Sequence, residues 1–284
     1  MGEHAPVPVR VRRVSGELRE LRRRHGLAGE EVAGALGISV SKLSRMENGI
    51  CKPAPDDVSA LLGLYRVPAP RRSELLSLVR EGQEYNWWRP TDGNDAPSVW
   101  QDIVTFEREA SALQNYELGI IPGLLQTAEY IRAFSAAVSN DPNTENVENQ
   151  VDLRALRQQN WRRPEGPPLH AIMDEGVCRS LVGGSEVMYN QLRHIVEVAC
   201  QSKLTVQVLP DSVRPHPGME GPFVTFSFED QPDLVFLENR GGTTFLEEAK
   251  LVEHAKQSFR RLRQLALDHE DSVEFIASMA DELR

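Results

Sequence analysis

The chain predicts a multidomain protein of the α + (α+β) class. A five-helix N-terminal domain precedes a C-terminal domain of helices with a mainly antiparallel sheet of about four to five strands. Three observations predict it. The 284 residues exceed the usual size of one domain. Before Glu84, apolar residues recur at helical spacing and are punctuated by Gly26, Gly37 and Gly49. After Leu169 the pattern changes to short β-branched and aromatic runs separated by Pro, Gly and Asp. The expected division is a flexible basic arm over 1–13, a helical head over 14–84, a linker over 85–97 and a body over 98–284.

Composition narrows the class. Hydrophobic content of 40% and charged content of 26% suit an ordinary globular chain. No apolar run approaches the roughly eighteen residues of a spanning helix, and the N-terminal arginines lack the apolar stretch of a signal peptide. A cytoplasmic protein without membrane contact is expected. Cys51, Cys178 and Cys200 are far apart and read as free thiols of a reducing compartment. The net charge of −10 is unevenly spread: through Arg72 there are thirteen Lys/Arg against eight Asp/Glu, and beyond it nineteen against thirty-four. A basic head on an acidic body suits a local contact with a polyanion, although a solvated face gives the same count.

In the head, Val14, Leu18 and Leu21 share a helical face, and Gly26 ends that helix. Residues 30–36 give a second helix with Val32, Ala33 and Leu36 inward. Gly37 supplies the sharp turn, because a residue without Cβ takes positive φ cheaply. Ser39 is the expected N-cap of a third helix over 40–48, whose buried face is Leu43 and Met46. Gly49 closes it. Asp56 or Asp57 caps a fourth helix carrying Val58, Leu61, Leu62 and Leu64, and residues 71–84 read as a fifth.

The rhythm of Leu27, Glu30 or Glu31, Ala33, Leu36, Gly37, Ser39, Leu43, Glu47, Asn48 and Gly49 resembles the Xre family of helix-turn-helix regulators. The resemblance implies that the third helix enters the major groove of double-stranded DNA. It places Val40, Ser41, Ser44 and Arg45 toward base edges. Arg45 is the specific reader, since a guanidinium can bond guanine O6 and N7 together, while Val40 suits a thymine methyl. A solvated helix-face charge is the plainer account of Arg45. Ser39, Lys42, Asn48 and Lys52, with the backbone at Gly29, are implied phosphate contacts. Arg22 and Glu47 match an ion pair joining the first helix to the third. One departure stands out: Ala28 and Gly29 occupy places where the family often carries a hydroxyl cap and a glutamine. Arg10, Arg12 and Arg13 form a basic arm that either reaches DNA or is a plain tail.

In the body, Trp87 and Trp88 of the linker either pin the head or simply pack. A long helix is expected from Ser98 to about Leu118, ended by Pro122 and Gly123. Thr127 caps the next helix over 128–137, Asn140 to Asn143 is a loop, and 145–161 is helical again. LHAIMD (169–174) reads as a strand and Asp174 as the cap of the helix that follows. LTVQVLP, PFVTFSF, DLVFLEN and TTFLE read as an antiparallel meander. Two closing amphipathic helices, one with Leu251, Ala255, Phe259, Leu262 and Leu265 and one with Val273, Ile276, Met279 and Leu283, cover the sheet or form a dimer seam.

The landmarks Glu107, Glu109-Ala110, IPGLLQTAEY (121–130), Arg154, Arg157-Gln158, DEGV (174–177), VGG (182–184), Met188, Gln191-Leu192, VQVLP (206–210), HPG (216–218) and GPF (221–223) resemble the C-terminal domain of actinobacterial regulators of the WhiJ type. That resemblance implies transcriptional control of differentiation or secondary metabolism, often beside a small partner protein encoded nearby. The expected function is a homodimeric repressor on a palindromic operator, whose body dimerises and receives a partner or signal. An antitoxin-like role that masks this partner, and a small-molecule sensor, are the competing readings. No cofactor, metal or catalytic residue is expected. The seven histidines are scattered, Gly-rich phosphate loops are absent, and Glu107 and Glu109 point to different helix faces. Ile121, Pro122, Gln126, Thr127, His216 and Phe223 lie in loop motifs that suit a partner or ligand contact, or structural turns.

Overall fold

The computed structural model describes residues 9–81, 88–90, 96–138, 144–200, 203–239 and 242–284. Five helices make the head: α1 (Val9–Arg24), α2 (Gly29–Leu36), α3 (Val40–Glu47), α4 (Pro55–Leu64) and α5 (Ala69–Glu81). Val14, Leu18, Val32, Ala33, Leu43, Met46, Val58, Leu61, Leu62, Leu75 and Val79 close into one apolar core. Each lies on the face that the 3.6-residue period assigns to it.

The body begins with β1 (Trp88–Pro90), α6 (Ala96–Glu109), β2 (Ala112–Glu117), α7 (Ala128–Val138) and α8 (Thr144–Trp161). It continues through β3 (Leu169–Asp174), α9 (Glu175–Arg179), α10 (Ser185–Ala199), β4 (Leu204–Leu209), β5 (Phe223–Ser227), β6 (Leu234–Asn239) and β7 (Gly242–Leu246). Helices α11 (Ala249–Leu265) and α12 (His269–Asp281) end the chain. The strands form one mixed sheet in the order β1-β7-β6-β5-β2-β3-β4. Strands β2, β3 and β4 are parallel neighbours, reached by helical crossovers as parallel pairing requires. Strands β5, β6, β7 and β1 are antiparallel, and β5 joins the two halves by pairing antiparallel with β2.

Both faces of the sheet are covered. Leu113, Met173, Val206, Val208, Phe226 and Phe236 meet Ile103 and Phe106 of α6, Leu192 and Ile195 of α10, and Ile276 and Met279 of α12. On the other face Tyr116, Ile172, Leu209 and Val235 meet Val252, Phe259 and Leu262 of α11. The apolar stripes of the closing helices are therefore spent on the sheet, one helix per face.

Three expectations need correction. The long helix over 98–118 stops at Glu109, and its last third is the interior strand β2. Leu113 pairs with Leu169 on one side and Phe226 on the other, so ladder bonds with distant segments override local helical preference. LTVQVLP is not part of the meander: it is β4, parallel to β3 at the far edge, and the sheet has seven strands rather than four to five. The linker is also shorter, because β1 extends the sheet beside β7 and α6 starts at Ala96. Trp87 and Asn140 to Asn143 lie outside the described residues.

The basic arm is the fourth correction. Helix α1 starts at Val9, so Arg10, Arg12 and Arg13 are helical. Arg12 is 1% exposed. Its Nη2 donates to Glu247 Oε2 at 3.0 Å and its Nη1 to the carbonyl of Pro232, both in the body. Its Cγ lies 3.2 Å from where a Cβ on Gly49 would sit, so the turn after α3 closes over the arginine stem. Burial pulls the Arg12 pKa down and Glu247 pulls it back up. Two lighter pairs run alongside, Arg19 to Glu109 at 3.2 Å and Arg108 to Glu20 at 2.9 Å.

Removing one partner of a buried ion pair leaves the other in a desolvated place. Arg12→Met should therefore lose about 3–5 kcal/mol in urea unfolding, and the double variant Arg12→Met/Glu247→Leu should recover most of it. Full stability in the single variant would mean the pair does not hold the head on the body.

Candidate nucleic-acid interface

Local rules fix the turn between α2 and α3. Gly37 takes φ 64° and its N–H donates to Ala33 and Gly34 carbonyls, which ends α2. Ser39 then starts α3, its Oγ accepting the Lys42 N–H at 3.1 Å. Leu43, Met46 and Glu47 turn inward. Arg22 of α1 grips the buried Glu47 carboxylate through Nε and Nη2, each at 2.8 Å, and its Nη1 donates to the carbonyl of Leu27 at 3.1 Å. One guanidinium thus ties α1 to α3 and to the entry of α2, and the Glu47 bonds raise its pKa above the ordinary arginine value.

The outer face of α3 carries Val40, Ser41, Ser44 and Arg45, all exposed. Their spacing of one, four and five residues makes a single stripe on a helix. Val40 is 48% exposed, an apolar side chain held in water on an otherwise polar face. Arg45 makes only a long bond to the Ser41 carbonyl, 3.4 Å, so its guanidinium is free to turn to a base edge.

The expected phosphate contacts are disposed less uniformly. Lys52 is exposed beyond the turn. Ser39 is engaged as the cap, and Lys42 pairs with Asp57 at 2.8 Å. Asn48 bonds Ser44 Oγ with its amide nitrogen and accepts from Arg19 Nη1, both at 3.3 Å. Gly29 stands at the first position of α2, where Ala28 gives no side-chain cap. Glu31 compensates by accepting the Ala28 N–H at 2.7 Å. Sequence reasoning missed Glu31, although a glutamate two residues into α2 signals such a reach-back. It also missed Arg19, which links Asn48 to Glu109 of the body, because no local pattern marks that contact.

The loop motifs of the body turn inward instead. Ile121, Pro122 and Gln126 are buried. Gln126 donates to the Ile121 carbonyl at 2.7 Å, and Gln191 accepts the Thr127 N–H at 2.7 Å and donates to the Leu125 carbonyl at 2.8 Å. Thr127 Oγ1 caps α7 by accepting the Tyr130 N–H. The polar groups of this motif are engaged within the fold, as structural turns would have them. Phe223 is packed against Tyr116 and Phe259. His216 is buried against the Tyr116 ring, with Nε2 at 3.8 Å from Asp174. Asp174 sits at the N-cap of α9 but caps nothing; its carboxylate accepts from Tyr116 at 2.7 Å and Arg214 at 2.8 Å. Burial and this bond drive the Tyr116 hydroxyl pKa upward.

Among the described residues no group of His, Cys, Asp or Glu is arranged to hold a metal, and no helix is long and apolar enough to cross a membrane.

Comparison with protein families follows this division. Residues 13–75 match a model described as a helix-turn-helix domain, and residues 100–278 match one described as a domain of unknown function (DUF5753). The chain belongs to the DUF5753 family. No curated protein and no solved structure matches it. The helix-turn-helix match on the segment that bears the exposed stripe supports a DNA-binding regulator, so this DUF5753 domain is carried behind a DNA-binding head.

The inward packing of the HPG motif can be checked separately. A Cβ on Gly218 would lie 2.2 Å from the Tyr116 ring. Gly218→Ala should cost ~1–3 kcal/mol or more of stability by overpacking, measured by chemical unfolding, while the folded fraction keeps its DNA affinity. Unchanged stability would free this loop for contact with a partner.

Proposed function

We propose that this protein is a sequence-specific transcriptional repressor of the Xre type that binds a palindromic operator as a homodimer. Its body pairs two copies and receives a signal or protein partner; no catalytic step belongs to this reading. The observation that carries it is the exposed stripe of Val40, Ser41, Ser44 and Arg45 on a helix anchored from behind by the Arg22–Glu47 pair. A short helix so held offers a rigid set of side chains to the major groove, with Arg45 as the member able to distinguish guanine. Lys52 lies where a charge positions the head without reading sequence. Two such heads related by a twofold axis read half-sites ~34 Å apart. The acidic body repels the phosphates and leaves the head as the contact.

Genome-wide footprinting supplies the operator, its symmetry and its spacing. On that site, Arg45→Ala should lose ~1–3 kcal/mol of binding and relax the base preference at one position of each half-site. Lys52→Ala should weaken all DNA alike and lower the slope of log affinity against log salt by about one. Wild-type affinity in both variants, or a footprint without twofold symmetry, would contradict the reading.

A further inference from the structure

A line of one-way hydrogen bonds runs from the body to the exposed stripe of α3. Glu109, the last residue of α6, sets its carboxylate against α1. Its Oε1 accepts from Arg19 Nη2 at 3.2 Å and lies 2.9 Å from where a Cβ on Gly16 would sit, so a side chain there would keep the carboxylate out. The same guanidinium donates through Nη1 to Asn48 Oδ1 at 3.3 Å. Asn48 Nδ2 in turn donates to Ser44 Oγ at 3.3 Å. The Arg19 and Glu109 side chains are only 23% and 13% exposed, so salt screens their bond less than it screens a surface pair.

Each link has one possible direction. A carboxylate accepts and a guanidinium donates. An asparagine amide can present either end, but the end that meets Arg19 has to be the oxygen, which leaves the nitrogen for Ser44. Ser44 is the one member able to act both ways, and its oxygen is already accepting. No described residue accepts its hydroxyl proton, and the side chain stands exposed on the stripe.

We propose that Glu109, acting through Arg19 and Asn48, fixes Ser44 as a hydrogen-bond donor and so makes the body a determinant of base preference. The inference rests on α3 reading the major groove. There a donor suits guanine N7 and O6, adenine N7 or thymine O4, whereas cytosine offers only its N4 amino group, itself a donor. A serine hydroxyl without such a constraint meets either kind of base edge. Glu109 and Arg19 are positioning residues; Ser44 is the group that touches the base.

The test is binding of the full-length protein to fluorescent duplexes carrying the footprinted site, with each base pair in turn replaced by the other three. Ser44→Ala identifies the position that Ser44 meets, as the one where the preference flattens. There the wild type should bind the pair that places cytosine under Ser44 roughly two- to tenfold more weakly than the best pair, the weight of one hydrogen bond. Asn48→Asp keeps the shape of the link but offers Ser44 an acceptor, which turns its proton inward. The added charge weakens all duplexes alike, and the discrimination against cytosine should disappear. Glu109→Ala removes only the body's end of the line and should lessen that discrimination. A Ser44→Ala variant that flattens no position, or a wild-type base profile in Asn48→Asp and Glu109→Ala, would overturn the inference while Arg45→Ala still loses affinity. A lower melting temperature for Glu109→Ala with an unchanged base profile would overturn the part assigned to the body, leaving a structural contact. If Arg45→Ala binds every duplex as the wild type does, the DNA-reading role itself is what fails.

Discussion

Helix α1 is held near both ends by a buried carboxylate, and the rest of the molecule is arranged around those two bonds. Near its start Arg12 reaches Glu247 at the end of β7; near its finish Arg22 reaches Glu47 at the end of α3. Neither carboxylate could be buried without its guanidinium at tolerable cost. Ten residues separate the two arginines, close to fifteen ångströms of helix. A rigid rod of that length gives α3 a defined attitude to the sheet. Arg19, between them, adds a continuous set of polar contacts from Glu109 through Asn48 to Ser44 on the exposed stripe.

This arrangement separates two uses of polar chemistry. On the head, the groups able to meet a ligand are outside and their anchors inside, so the stripe of α3 is preorganised and solvent-facing. On the body, the sequence landmarks are mostly anchors. Gln126, Gln191, Asp174 and Gly218 settle loop backbones and a buried tyrosine. Arg154 breaks that rule: its Nε and Nη1 are sealed from water without a hydrogen-bond partner, and its guanidinium lies over the Trp100 ring.

Sequence patterns revealed most of the head because its determinants are local. Gly37 and Ser39 act within one turn of themselves, and the apolar period of Leu43 and Met46 tells which side of α3 faces water. Arg12 defied that logic: a charged residue near a terminus reads as solvated, and its burial rests on partners such as Glu247 and the Pro232 carbonyl, more than two hundred positions away. β2 failed for the same reason. ALQNYE has no strong strand character, and its conformation is imposed by ladders to β3 and β5. β3 and β4 were legible as strands because they are buried on both faces and so read as apolar runs, but their parallel pairing is set by the crossover helices. Of the site, the stripe itself was visible in the sequence. Whether Lys42 and Asn48 are already engaged, and that Glu31 completes the helix start, required the neighbours in space.

The account stands on α1 fixing α3 to the body. Distances between spin labels at Ser41 of α3 and Glu270 of α12, with Cys51 and Cys200 changed to serine, measure this directly. A single narrow distribution is expected for the wild type, broadening when Arg12→Met removes the bond to Glu247. A broad distribution in the wild type, or one that Arg12→Met leaves unaltered, would contradict it.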